Sequence, residues 1–221
     1  MENGERIDEI IYPILKDVWG YSDFRPMQRE IIHQIMLNKD LLAILPTGGG
    51  KSICFQVPAL AKRGICIVVS PLIALIKDQV QNLKKLNIKA LSVHSGMSYR
   101  EVDIALDNAI YGNYKFLYLS PERLNTQLFR ARVSRMDVSM IVVDEAHCIS
   151  QWGYDFRPDY LTISQIKSEV ARNRRDVDSE FIPHDVPIIA LTATATEKVA
   201  DDICDRLSFA SKNIIRSGFD R

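Results

Sequence analysis

LPTGGGKSICFQVPAL, residues 45–60, sets three consecutive glycines, Gly48, Gly49 and Gly50, directly before Lys51 and Ser52. An apolar run, DLLAIL, leads into it and a segment of helical character leads out. Glycines let a backbone curl until successive N–H groups point inward, and a helix starting near Lys51 would set the positive end of its dipole behind them. Such an arrangement binds phosphate. Lys51 would reach the β- and γ-phosphates of a nucleotide and the Ser52 hydroxyl would ligate Mg²⁺. Pro46, Thr47, Gly48, Gly49, Gly50, Lys51 and Ser52 are therefore candidate contacts for ATP. The general pattern G-x-x-x-x-G-K-[ST] asks for glycine where this chain has Leu45. A glycine-rich turn with a chance Lys-Ser is the plain alternative, and the strand-like run before it and helix after it speak against that.

Outward from this loop the chain alternates. DLLAIL, ICIVVS, ALSVHS, KFLYLS, MIVVDE and PIIALTA are short apolar runs, too continuous for a sheet wetted on one face. Between them run helical stripes: Leu72, Leu75, Ile76, Val80, Leu83 and Leu86 recur at helical spacing, and Ser98 with Glu101 forms a capping box before Val102, Leu106 and Ile110. The expected fold is α/β, a mostly parallel central sheet with helices on both faces and ligands at the carboxyl ends of the strands. One segment breaks the rhythm. EVARNRRDVDSEFIPHDVP, residues 169–187, loses its periodicity after Asn173 and reads as an exposed loop, with Arg172, Arg174 and Arg175 on a solvated face.

The chain has 221 residues, 47% of them hydrophobic, and equal numbers of basic and acidic residues, 28 each. A substantial core is within reach, whereas a dominant basic surface for nucleic acid is not expected. The four cysteines, Cys54, Cys66, Cys148 and Cys204, form no C-x-x-C pair and sit among apolar neighbours, as buried free thiols do. MENGERIDEI is no signal peptide and no run approaches a membrane span, so the expected setting is the cytoplasm.

MIVVDEAHC delivers Asp144 and Glu145 at the end of an apolar strand. Following a phosphate loop, the first carboxylate is placed to hold Mg²⁺ with Ser52, and the second to orient an attacking water or take its proton. No site for a second substrate hydroxyl is visible, so the pattern is that of an ATPase rather than a kinase.

FRPMQ (24–28), PTGGGKS, VVSPLIALIKDQV, YLSPERL, DEAHCISQWGYDFRPDY and ALTATAT, in this order, resemble the RecQ-type DNA helicases of superfamily 2. The likeness runs from about Tyr21 to Arg221 and includes Leu45, since that family does not place glycine there. It implies a RecA-like phosphate-loop domain occupying 1–221, with 1–39 as a helical adenine-recognition segment. Gln28 would read the adenine edge and Tyr21 and Arg25 would sandwich the base. His147 joins Lys51, Asp144 and Glu145 in the catalytic set.

On the nucleic-acid side, the Ser-Pro steps at Ser70 and Ser120 suit both plain helix capping and the phosphates of a single strand. The resemblance favours DNA, with Lys77 and Arg123 nearby and VHSG (93–96) as a further backbone contact. In CISQWGYDFRPDY, Trp152, Tyr154, Phe156 and Tyr160 follow the catalytic carboxylates directly, in a segment too rich in Gly, Asp and Pro for a core. Bases stack on such rings with little regard to sequence. Gln151, Trp152, Phe156 and Arg157 are therefore expected to couple DNA to hydrolysis, and Thr192 and Thr194 to bridge the two sides.

Nothing in the chain resembles the family's second RecA-like domain, its zinc-binding region or its winged helix. The expected partners are single-stranded or duplex DNA and that second domain. The chain itself should be a monomer, away from membranes, that binds nucleotide but neither hydrolyses it efficiently nor unwinds DNA. The rival readings are a DEAD- or DEAH-type RNA helicase and a noncatalytic nucleotide-binding module.

Overall fold

A computed structural model describes residues 2–153, 155–174 and 186–217. Seven strands, β1 (Leu41–Ile44), β2 (Ile65–Val69), β3 (Ala90–Val93), β4 (Phe116–Leu119), β5 (Val138–Val143), β6 (Ile188–Thr192) and β7 (Ile214–Arg216), form one sheet. Their order is β3-β4-β2-β5-β6-β1-β7 and each pairing is parallel. The helices are α1 (Glu2–Trp19), α2 (Gln28–Met36), α3 (Lys51–Ala61), α4 (Ile73–Lys85), α5 (Tyr99–Tyr111), α6 (Gln127–Val133), α7 (Ile163–Arg174) and α8 (Glu197–Arg206).

The continuous apolar runs have the expected cause, which is burial on both faces. Along β1, Leu42 and Ile44 point into one core while Leu41 and Ala43 point into the other. The first core is closed by Val102 and Leu106 of α5, Phe129 and Val133 of α6, Ile163 and Ile166 of α7, and Val199 and Ile203 of α8. The second is closed by Ile31 and Ile35 of α2, Phe55 of α3, and Ile76 and Leu83 of α4. A third cluster docks α1 outside this layer, through Ile7, Ile11 and Leu15 against Ile32 and Val57. Each fully buried Ile, Leu or Phe contributes about 1.5–3 kcal/mol.

Helix α5 begins as expected: the Ser98 hydroxyl accepts from the Glu101 N–H, and the Glu101 carboxylate accepts from the Ser98 N–H at 2.8 Å. In α4 the buried stripe is Ile76, Val80 and Leu83, while Leu72 and Leu86 fall just outside the helix and are exposed. Two features depart from expectation. Strand β7, only three residues long, is too short for a periodic signal and is defined by its pairing with β1. The charged segment starts as helix, because Ile163, Ile166 and Val170 carry a buried stripe into it and α7 continues to Arg174. Residues 175–185, with Arg175, lie outside the described residues, as does Tyr154.

Parallel pairing brings the carboxyl ends of the strands to one edge of the sheet. The phosphate loop follows β1, Ser70 follows β2, His94 follows β3, Ser120 follows β4, Asp144 follows β5, and the Thr194 segment follows β6.

Candidate active site

Between β1 and α3 the loop turns through left-handed backbone at Gly48 (φ 80°) and Gly50 (φ 73°), and the Gly49 N–H donates to the Pro46 carbonyl at 3.0 Å. Gly50 has a second constraint, because a Cβ there would run into the Gln28 amide. Gln28 is 3% exposed; its Oε1 accepts from the Arg25 N–H at 2.8 Å and its Nε2 donates to the Gly50 carbonyl at 3.0 Å. Arg25 Nη1 donates to the Gly48 carbonyl at 2.6 Å. The segment expected to meet adenine thus also grips the phosphate loop. A primary amide has two acceptor lone pairs and two donor hydrogens, so Gln28 retains one of each for a base.

A cavity of about 560 Å³ opens over this loop. It brings together Tyr21, Arg25, Gln28, Thr47, Gly48, Gly50, Lys51, Ser52, Asp144 and Glu145. Pro46 and Gly49 of the expected contacts lie in the loop without lining it. The left-handed glycines, the α3 N-terminus and Lys51 with Ser52 form a cradle that fits a nucleotide's phosphates, and Asp144 faces the same space as a carboxylate suited to a hard cation. Among the described residues no group of three or more His, Cys, Asp or Glu is arranged to hold a metal. A Mg²⁺ here would be held by one carboxylate, the Ser52 hydroxyl and the phosphates themselves.

The two carboxylates differ. Asp144 sits at the end of β5, its Oδ1 accepting from the Glu145 N–H at 3.0 Å and its Oδ2 from the Ser70 hydroxyl at 3.2 Å. Burial, reinforced by the neighbouring Glu145 charge, pushes its carboxyl up. Glu145 lies in left-handed backbone (φ 49°), and its side chain is held low by His147 and, against the cost of burial, by Lys51. His147 Nδ1 stands 3.2 Å from Glu145 Oε2 and 3.1 Å from the Thr192 hydroxyl. Contacts with the Cys148 sulfur and the Glu145 carboxylate push this imidazole up to about 10. Nδ1 thus lies between the Glu145 carboxylate and the Thr192 hydroxyl, and that hydroxyl donates on to the Thr194 carbonyl at 3.2 Å.

Sequence reasoning missed several members. Trp19, at the end of α1, lines the cavity. So do Gln79 and Tyr118, and behind them Gln56 Nε2 donates to Gln79 Oε1 at 3.2 Å and to the Tyr118 hydroxyl at 3.4 Å. Gln56 and Tyr118 sit in otherwise apolar runs, and only the crossing of α3, α4 and β4 joins them to Gln79.

On the nucleic-acid side the hydroxyls expected to face a strand are turned inward. Ser70 is 2% exposed and committed to Asp144, because it ends a strand buried on both faces. Ser120 is 1% exposed and donates to Glu122 at 2.6 Å, closing its own turn. Arg123 donates to the carbonyls of His94 and Met97, bracing the 93–96 loop. Thr192 is fully buried, whereas Thr194, Lys77 and Gln151 are exposed.

The aromatic segment divides. Trp152 is 62% exposed, Phe156 is half-buried, and Arg157 pairs with Asp155 at 3.1 Å. Tyr160, expected with the exposed aromatics, is core: it is fully buried and its hydroxyl donates to the Asp144 carbonyl at 3.2 Å.

The model of the DEAD/DEAH box helicase family matches residues 25–203. The chain is 43% identical over 210 residues to the ATP-dependent DNA helicase RecQ of Bacillus subtilis, covering 94% of this chain and 33% of that protein. With the ATP-dependent DNA helicase RecQ of Pasteurella multocida it shares 41% over 208 residues, covering 94% and 31%. The chain thus spans about a third of the length of these relatives. Among solved structures it resembles the Pyrococcus furiosus Hef helicase domain, with a TM-score of 0.65 at 22% identity over 93% of this chain and 40% of that one, which is a likeness of fold.

Proposed function

The chain belongs to the DEAD/DEAH box helicase family, and from that premise we propose that it is the ATP-binding domain of a RecQ-type DNA helicase. The whole protein would couple ATP hydrolysis to 3′–5′ movement along DNA and to unwinding. The observation that carries this reading is the convergence on Asp144. Its carboxylate takes the Ser70 hydroxyl from the segment leading into α4, and its carbonyl takes the Tyr160 hydroxyl from the end of the aromatic segment. The ATP site and the two segments proposed to meet DNA share one residue.

In this mechanism Lys51 and the loop N–H groups bind the β- and γ-phosphates. Ser52 and Asp144 hold Mg²⁺, which when bound neutralises charge on the phosphate oxygens. Gln28, Tyr21 and Arg25 hold adenine. Glu145, kept ionised by His147 and Lys51, accepts a hydrogen bond from the attacking water and orients it. Trp152 and Phe156 stack on bases, and Lys77, Gln151, Arg157 and Thr194 lie along the strand. Among the described residues lining the cavity the cations are Arg25 and Lys51, and Arg25 is engaged by Gly48. A further arginine from a second RecA-like domain would face the γ-phosphate, a contribution worth ~10³–10⁵ in rate in related enzymes.

The experiment is nucleotide binding and ATP turnover by this chain, with and without single-stranded DNA or RNA. Binding that Lys51→Ala abolishes, with little turnover, is the expected result. Robust DNA-stimulated turnover overturns the need for a second domain, and preferential stimulation by RNA overturns the choice of DNA.

A further inference from the structure

We propose that one face of α8, formed by Lys198, Asp202 and Arg206, is a clasp that positions the aromatic loop, with Asp202 as its anchor. The inference rests on the reading above, in which that loop meets nucleic acid. The three residues recur every fourth position, so they lie along one side of the helix. Each reaches a different residue of the loop. The Lys198 ammonium sits 3.2 Å from the centroid of the Trp152 ring. Asp202 Oδ2 accepts from the Ser150 hydroxyl at 2.7 Å. The Arg206 guanidinium lies 5.8 Å from the Phe156 centroid and donates from Nε to Asp202 Oδ1 at 2.8 Å.

The anchor is doubly used, bound by both Ser150 and Arg206, and its partner Ser150 is buried. Ser150 is 0% exposed, and its oxygen also accepts from the Trp152 N–H at 3.2 Å, so a single hydroxyl ties Asp202 to the backbone of the residue that carries the exposed ring. Gly153 lets the turn pass close beneath: a Cβ there would stand 2.7 Å from the His147 carbonyl. On its opposite side α8 is fixed to the core by Val199, Ala200 and Ile203, and the Thr196 hydroxyl caps its start. A scattered surface pair contributes little to order. Here two cation–π contacts and a hydrogen bond fall on one helical face and fix two rings whose orientation stacking depends on. With the ammonium on one face of Trp152, the other face is the one offered to a base.

The test uses Trp152 as its own reporter, in this chain with Trp19→Phe, which leaves a single tryptophan. Acrylamide quenching of Trp152 is measured without DNA, and an oligothymidylate is then titrated by fluorescence anisotropy. Lys198→Ala and Asp202→Ala are expected to raise the quenching constant. They should also weaken oligonucleotide binding about two- to fivefold, the equivalent of one exposed cation–π contact. Nucleotide affinity should stay unchanged in both, and the thermal midpoint should stay unchanged in Lys198→Ala, whereas Asp202→Ala, which leaves the buried Ser150 hydroxyl without its acceptor, should lower it. Lys198→Arg, which keeps a cation over the ring, should behave as the parent in quenching. Quenching that is the same in all variants, or that shifts as far in Lys198→Arg as in Lys198→Ala, overturns the clasp. Altered quenching with no oligonucleotide binding by the parent supports the clasp and overturns instead the reading of the loop as a nucleic-acid contact.

Discussion

The hydroxyl of Ser70 donates to Oδ2 of Asp144 across 3.2 Å, and the Asp144 N–H donates to the Val69 carbonyl at 2.9 Å. The end of β2 therefore holds both the backbone and the side chain of the carboxylate proposed to take Mg²⁺. Ser70→Ala removes one neutral-to-charged hydrogen bond, worth about 1.5 kcal/mol or roughly tenfold. Mg²⁺-dependent nucleotide binding is expected to weaken by about that factor, while binding in EDTA stays the same. Fluorescent-nucleotide titration at several Mg²⁺ concentrations measures this. A loss of oligonucleotide affinity with Mg²⁺ dependence intact would restore Ser70 to the strand.

Gln28 holds the phosphate loop at Gly50 as well as standing where adenine is expected. Gln28→Ala should therefore do two things: erase the preference of adenine over guanine nucleotides, and weaken both by several-fold through the loosened loop, about 1 kcal/mol for the lost hydrogen bond. Competition binding with the two nucleotides separates the effects. Equal weakening with the preference preserved would leave Gln28 a purely structural brace.

Gly50→Ala should be more severe. The position has φ 73°, and its Cβ would drive Gln28 out of place. A non-glycine residue in left-handed backbone costs about 1–2 kcal/mol before any clash. Nucleotide binding should be lost in calorimetric titration, with the secondary structure intact by circular dichroism.

These three cases also show what a sequence can carry. Strands β1 to β6 and the phosphate loop were legible because burial leaves apolar runs, and because glycines before Lys-Ser serve few other purposes; β7, three residues long, was not. The direction of a hydroxyl was not. Ser70 and Ser120 look alike, each before a proline at a strand end, yet one turns to Asp144 and the other to Glu122. Tyr160 shares its neighbourhood with Trp152, but the 3₁₀ turn Pro158–Thr162 swings it under Asp144 while Trp152 stays in solvent. The Lys198, Asp202 and Arg206 face is readable as spacing, but its partner 46 or more residues earlier is not.

Asp40 gives a prediction on stability. At the mouth of β1 it takes two hydrogen bonds from Lys167 of α7, at 2.6 and 2.7 Å, and one from the Ile188 N–H at 2.8 Å. Its side chain is 9% exposed. Asp40→Ala leaves a cation and a buried donor without their partner, and should cost about 3 kcal/mol. Urea denaturation followed by circular dichroism measures it. Lys167→Ala, whose charge can be replaced by water at 22% exposure, should cost less. The reverse order would mean that the ion pair, and not the tie to β6, is the main contribution.

Asp8 supplies the pH dependence. It accepts from Arg29 Nε at 3.1 Å and stands 2.7 Å from His33 Nε2, joining α1 to α2 beside the segment that grips the phosphate loop. The Arg29 hydrogen bonds hold its carboxyl below the ordinary aspartate range, against a smaller opposing effect of burial. A depressed folded value means the unfolded chain takes up the proton first on acidification. The stabilisation is thus complete above about pH 4, near the unfolded value, and is lost as the pH falls through the folded one. In urea titrations between about pH 6 and pH 3, the parent should lose more stability than Asp8→Asn, which has no such charge to lose. Their stabilities should converge at the acid end, and parallel curves across the range would mean that Asp8 contributes nothing through its charge.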